Sequence, residues 1–157
     1  MIGKRGSTYL PAGLPIPMAE PDGLSAPYWD GLRRGRLLVQ RCSHCRTWQF
    51  GPEWICHRCH AFDLEWTEIE PRGRIFSWER VWHPSHPALK PHGPYLAVLV
   101  ELPGAGSVRM VGNLLGDPRQ EVTIGTEVEG VFEHHSDQHM PYSLLHWRTL
   151  QEGQDAV

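Results

Sequence analysis

The sequence predicts a mainly β protein with one short N-terminal helix, a small metal-bound ribbon and a compact closed barrel. Three observations carry this. Four cysteines form two C-x-x-C pairs within eighteen residues, only one stretch has helix start and stop signals, and short apolar runs divided by Gly and Pro follow Cys59.

Residues 1–24 hold Pro11, Pro15, Pro17 and Pro21 with Gly3, Gly6, Gly13 and Gly23. That density sustains neither a helix nor a central strand, so the segment reads as a flexible leader or an extended arm. A helix is expected over 25–36, with Ser25 as N-cap, Pro27 in the first turn, Trp29 and Leu32 on one face and Gly35 as its stop. The run "RLLVQRC" reads as a strand entering the ribbon, expected over 37–62, and the barrel is expected over 63–151, with a tail at 152–157. In "LEWTEIE", expected as the first strand of the barrel region, Leu64, Trp66 and Ile69 face inward. "RIFSWERVW" alternates imperfectly around Ile75 and Trp78, and the near-continuous apolar "YLAVLVEL" reads as a central strand. "VRMVGNLLG", "EVEGVFEHH" and "YSLLHWRTL" complete the set, with Gly104 to Gly106 as a hairpin loop. About five strands in so short a span suit an OB-type barrel, and Gly112 allows the tight coiling it requires. The Pro-rich stretch 83–94, "HPSHPALKPHGP", is expected to have no regular structure.

Hydrophobic residues make up 40% and charged residues 21% of the 157, which argues against disorder. No apolar run is long enough to cross a membrane and no signal-peptide core opens the chain, so a soluble cytoplasmic protein is expected. The net charge of −3 is unevenly spread: residues 1–60 carry eight Lys/Arg against four Asp/Glu, and residues 61–157 carry seven against fourteen. An acidic barrel lacks the cationic footprint that a nucleic-acid groove needs.

The cysteine pattern is C-S-H-C, ten residues, then C-H-R-C. Each pair makes a tight knuckle, and two knuckles close a tetrahedron around one metal through Cys42, Cys45, Cys56 and Cys59. Zinc suits four thiolates, and iron would use the same ligands. A four-thiolate site has no open position, so the ion is structural, adding on the order of 10 kcal/mol to folding. With the thiolates sufficient, His44, His57 and His60 are expected to donate hydrogen bonds or face water.

No nucleophile elbow, phosphate loop or dinucleotide fingerprint occurs. His83 and His86 form H-x-x-H without a specified third ligand, His134 and His135 sit near the other end of the barrel, and Glu127 and Glu129 read as a solvated strand face. Arg33, Arg34, Arg36, Arg41 and Arg46 form a basic stretch offset nearby only by Asp30, either a phosphate clamp or an exposed helix end.

The order of these blocks, "APYWDGLRRGRLLVQRC", the double knuckle, "LEWTEIEPRGRIFSW", "PYLAVLVEL" and "GNLLG", resembles the acyl-CoA-associated OB-fold family with a rubredoxin-like zinc ribbon, over about residues 15–150. The four cysteines match that family's metal positions. The resemblance implies a structural zinc ion and a non-catalytic accessory subunit of a thiolase-superfamily enzyme: a thiolase, an acyltransferase or a retro-aldolase. It also implies help in binding acyl-CoA, with Arg33, Arg34, Arg36, Arg41, His83 and His86 as candidate CoA contacts. A fused hydratase domain, found in some relatives, is missing, so the partner is expected to be a separate chain. A single-stranded nucleic-acid binder and a self-sufficient acyl-CoA enzyme using the His-rich loop are the competing readings.

Overall fold

The computed structural model describes residues 9–136 and 139–150. Residues 1–8 of the leader and 152–157 of the tail therefore lie outside the described residues. Residues 9–24 contain neither helix nor strand, as their prolines and glycines require, and Tyr9 donates its backbone N–H to Glu133.

Helix α1 spans Ala26–Arg33, shorter than the 25–36 expected. Ser25 makes no side-chain cap; its hydroxyl instead donates to the Glu20 carboxylate. The C-terminus is a Schellman motif: Arg36 N–H reaches Gly31 O at 2.9 Å, Gly35 N–H reaches Leu32 O at 3.0 Å, and Gly35 takes φ +69°.

Strands β1 (Leu37–Cys42), β2 (Trp48–Gln49) and β3 (Leu64–Ile69) form one antiparallel sheet in the order β2-β1-β3. The run "LEWTEIE", expected to open the barrel region, pairs instead with β1 through its first six residues, from Cys42 opposite Leu64 to Leu37 opposite Ile69. The ribbon sheet therefore extends to Ile69, because β1 carries buried Leu37, Val39 and Cys42 and needs a partner on both edges.

The barrel comprises β4 (Arg72–Val81), β5 (Tyr95–Leu102), β6 (Val108–Asn113), β7 (Glu127–His135) and β8 (Tyr142–Thr149), in the order β6-β5-β4-β7-β8. It closes where Leu114 bridges Trp147 in parallel and Leu115 N–H reaches Trp147 O at 2.8 Å. This is the OB topology, and the long first strand serves both neighbours, pairing with β7 over Arg72–Arg74 and with β5 over Arg74–Val81.

The imperfect alternation of "RIFSWERVW" has a geometric cause: the register with β5 shifts between Ile75 and Ser77, and the bulged Phe76 is exposed. "YLAVLVEL" is central between β4 and β6, and buries Leu96, Val98, Val100 and Leu102 in strict alternation. The 83–94 loop is not wholly irregular, since a 3-10 turn forms at Lys90–His92 with Pro91 in its first turn, a place where the fixed φ of proline is compatible.

Trp147 is fully buried at the barrel seam, and the space for its indole exists because position 112 is glycine. A Cβ on Gly112 would lie 2.6 Å from Trp147 Cδ1. Gly112→Ala should therefore destabilise the chain by roughly 1–3 kcal/mol in urea unfolding, the usual cost of overpacking a core. Unchanged stability would show that the seam is looser than this contact implies.

Candidate metal centre

Both knuckles are built the same way. In the first, Arg46 N–H reaches Cys42 O at 3.0 Å and Cys42 N–H reaches Thr47 O at 2.9 Å; in the second, His60 N–H reaches Cys56 O at 3.0 Å and Cys56 N–H reaches Ala61 O at 2.9 Å. The residue after each pair, Arg46 or His60, has φ of +61° in both cases, which reverses the chain tightly enough to aim two sulfurs at one point.

The four cysteine sulfurs lie within 4.8 Å of one another, with Cys42 to Cys59 and Cys45 to Cys56 each at 3.6 Å. These separations are far too long for a disulfide, and all four cysteines are free. They fit a tetrahedron of thiolates about zinc, whose edges are roughly 3.8 Å for Zn–S bonds of about 2.3 Å. Thr47 readies one ligand: its Oγ1, 3.1 Å from Cys45 Sγ, and then its backbone N–H pull that thiol down to about 6, favouring the thiolate. Arg58 N–H points at Cys56 Sγ at 3.4 Å, another backbone donor toward the cluster.

The knuckle histidines are not part of the sulfur cluster. His44 pairs with Asp63 at 3.1 Å, and His57 and His60 are exposed. The arginine stretch is distributed over several contacts. Arg33 is bound to Asp30, Arg36 lies 3.6 Å from Glu68, and Arg41 donates to Arg46 O and stacks its guanidinium 4.8 Å from the Trp48 ring. Arg34 is exposed with no carboxylate partner among the described residues. His83 and His86 belong to the loop after β4, on a different element from these arginines; His86 Nδ1 accepts the Ala88 N–H at 3.2 Å.

A buried polar cluster escaped the sequence reading. Glu133 and His146 are each 1% exposed, on the face of the β7–β8 hairpin that the arm covers. The Glu133 carboxylate accepts from His146 Nε2 at 2.9 Å, from His135 Nε2 at 2.6 Å and from the Tyr9 N–H at 3.0 Å. Asn113 Nδ2 lies 3.4 Å from His146 Nδ1, and Tyr142 stacks on His135 at 4.3 Å. Burial holds His146 below its ordinary value, so it stays neutral and bridges Asn113 to Glu133. The pattern E-H-H across a hairpin from L-H-W was the available signal, but strand alternation alone assigned that face to solvent.

Fold and site together define a class: a four-cysteine ribbon joined to an OB barrel, preceded by a short helix. A family model described as "ChsH2, rubredoxin-like zinc ribbon domain" matches residues 29–65, and "ChsH2, C-terminal OB-fold domain" matches residues 66–133. The chain belongs to this zinc-ribbon and OB-fold family, known as DUF35. Among curated proteins it is 34% identical over 104 residues to a "Probable enoyl-CoA hydratase alpha subunit" of Thermomonospora curvata, over 66% of this chain and 31% of that protein. The chain thus spans about a third of the length of that relative. A solved structure described as "Ltp2-ChsH2(DUF35) aldolase" contains a chain that superposes with a TM-score of 0.70 at 29% identity, over 85% of this chain and 98% of the other. A DUF35 protein of unknown function from Sulfolobus solfataricus, 16% identical, shares the fold with a TM-score of 0.54 over 80% and 84% of the two chains. No helix among the described residues is long and apolar enough to cross a membrane.

Two outcomes follow from this geometry. A strong chelator, or Cys42→Ser, should make the thiols titratable and unfold the ribbon, since metal binding contributes on the order of 10 kcal/mol to such modules. Retention of the ribbon's amide protection without metal would contradict this. For His146 the folded-state value lies below the ordinary 6.5, so the unfolded chain binds more protons in that window and stability falls as pH drops through it. His146→Gln, which keeps a donor toward Glu133, should flatten the fall in urea midpoint between neutral and mildly acidic pH; an unaltered slope would refute the assignment.

Proposed function

We propose that this chain is a non-catalytic accessory subunit that holds one structural zinc ion and binds and stabilises a thiolase-superfamily enzyme, of the thiolase, acyltransferase or retro-aldolase kind. The observation that carries the reading is the superposition on 98% of a chain in the structure described as "Ltp2-ChsH2(DUF35) aldolase". The chemistry of the site agrees. Four thiolates gathered on one ion would leave neither a cysteine nucleophile nor an open metal position, and the clustering of the four sulfurs supports this. The Glu133–His146 pair is buried under the arm.

Within such an assembly the subunit helps shape an acyl-CoA channel. Of the six candidate CoA contacts, Arg34, His83 and His86 are the ones free of a carboxylate or stacking partner among the described residues, and so are available to a phosphate. Arg33, Arg36 and Arg41 would have to leave the contacts they make here. A cytoplasmic location accords with acyl-CoA chemistry and with four reduced thiols.

The test is gentle affinity purification of the tagged full-length chain from its host. A thiolase-fold enzyme should be recovered in a fixed ratio to this chain, with about one zinc per chain by elemental analysis. Recovery of the chain alone, or turnover of acyl-CoA by the isolated chain, would overturn the reading.

A further inference from the structure

The four sulfurs are alike as ligands and unlike in access. Cys42 and Cys56 are buried, Cys45 is half-buried, and Cys59 is exposed. The difference follows from how each cysteine is held. Cys42 ends β1, the strand that pairs with β2 and β3 on its two edges. Cys45 has its sulfur 3.1 Å from Thr47 Oγ1. Cys56 is fixed on both sides by the buried Gln49, which donates to the Ile55 carbonyl at 3.3 Å and accepts the His57 N–H at 3.2 Å. Gln49 in turn donates to Gln40 Oε1 at 3.2 Å, and Gln40 binds the Glu53 N–H at 3.0 Å and the Glu53 carbonyl at 3.1 Å. Cys59 closes the second knuckle between two exposed residues, Arg58 and His60.

The exposed cysteine also has a buried one within reach. Cys59 Sγ lies 3.6 Å from Cys42 Sγ, against the roughly 2.05 Å of a disulfide bond. The same separation of 3.6 Å divides Cys45 from Cys56, so the cluster resolves into two pairs, each drawn from both knuckles.

We propose that Cys59 is the oxidation site of the ribbon, where a hydroperoxide converts the metal-held knuckles into a form bridged by a Cys42–Cys59 disulfide. The inference rests on the structural-zinc reading above. On a metal ion all four sulfurs are thiolates, so access and not ionisation selects among them. The Cys59 thiolate attacks the O–O bond of hydrogen peroxide, forming a sulfenic acid and releasing hydroxide. The Cys42 sulfur then displaces hydroxide from the sulfenic sulfur, and the disulfide forms. Two thiolates have lost two electrons, and one peroxide has become two hydroxide ions. Cys45 and Cys56 are left as a two-sulfur remnant that cannot complete a tetrahedron, so oxidation ends metal retention. A dithiol reductant returns the four thiolates and with them the site.

The experiment uses the full-length, zinc-loaded chain. Limiting N-ethylmaleimide ranks the thiols by reactivity, and limiting hydrogen peroxide is followed by zinc release to a chromogenic chelator and by mass-spectrometric mapping of disulfides. Cys59 should carry most of the first maleimide label, and the first disulfide should join Cys42 to Cys59. About one zinc should be released per peroxide consumed, and a dithiol should restore metal binding. Cys59→His keeps a zinc ligand but removes the exposed thiolate, and should slow peroxide-driven release by about tenfold or more. Cys45→His should stay within about twofold of the wild-type rate. A first label on another cysteine, a first disulfide other than Cys42–Cys59, or release from Cys59→His at the wild-type rate overturns the proposal. If either variant fails to load zinc, the two wild-type maps decide the outcome alone. A purified wild-type chain that holds no zinc overturns the reading beneath it.

Discussion

Two reverse turns, each set by two amide-to-carbonyl bonds and one residue at positive φ, deliver four sulfurs to a single point, and the architecture N-terminal to the barrel is arranged around that requirement. Cys42 ends β1, so the position of the sulfur cluster fixes where β1 ends and hence where β3 begins opposite it, at Leu64. The ribbon has little apolar interior of its own beyond Leu37, Val39 and Ile69, which join the barrel core. Metal coordination therefore supplies the cohesion that a domain of this size cannot draw from burial alone. The loop between the knuckles is held by the buried Gln40–Gln49 pair, a polar solution workable only because nearly every amide atom finds a partner.

The barrel answers a different constraint. Five short strands close into a ring only if one strand serves both neighbours and if the seam is filled, and β4 does the first while Trp147 does the second. Gly73 and Gly112 are where the walls come closest: a Cβ on Gly73 would lie 2.5 Å from Glu101 O, and one on Gly112 would meet the indole. Ribbon and barrel are joined by packing as well as by chain, because Trp48 of β2 lies against Gly106 in the turn between β5 and β6, where a Cβ would come within 2.7 Å of the ring.

The arm and helix give the outer face of the β7–β8 hairpin an unexpected character. Strand alternation places Glu133 and His146 on the side away from the barrel interior, where they would be solvated in an isolated barrel. The arm covers them, and the carboxylate is then satisfied by two imidazoles and the Tyr9 amide. Farther along the same face, Glu129 and Arg148 remain an exposed pair, which shows what that surface looks like where nothing lies over it.

The four-cysteine cluster, the central place of "YLAVLVEL" and the OB class were legible in the sequence because each rests on local spacing: two C-x-x-C pairs, an unbroken apolar run, and the number of strand-length segments between Gly and Pro. The bulge at Phe76 was visible only as imperfect alternation, and "LEWTEIE" showed that it was a strand without showing which sheet it joins. Those questions concern partners distant in sequence, as do the burial of Glu133 and His146 beneath an arm more than a hundred residues away and the splitting of the arginine stretch among Asp30, Glu68 and Trp48. Local spacing thus set the four-cysteine cluster and the kind of elements, since nearest-neighbour stereochemistry and periodicity decide both. Long-range packing settled which polar groups are buried and which apolar ones are left outside, because burial depends on what the rest of the chain places over a residue.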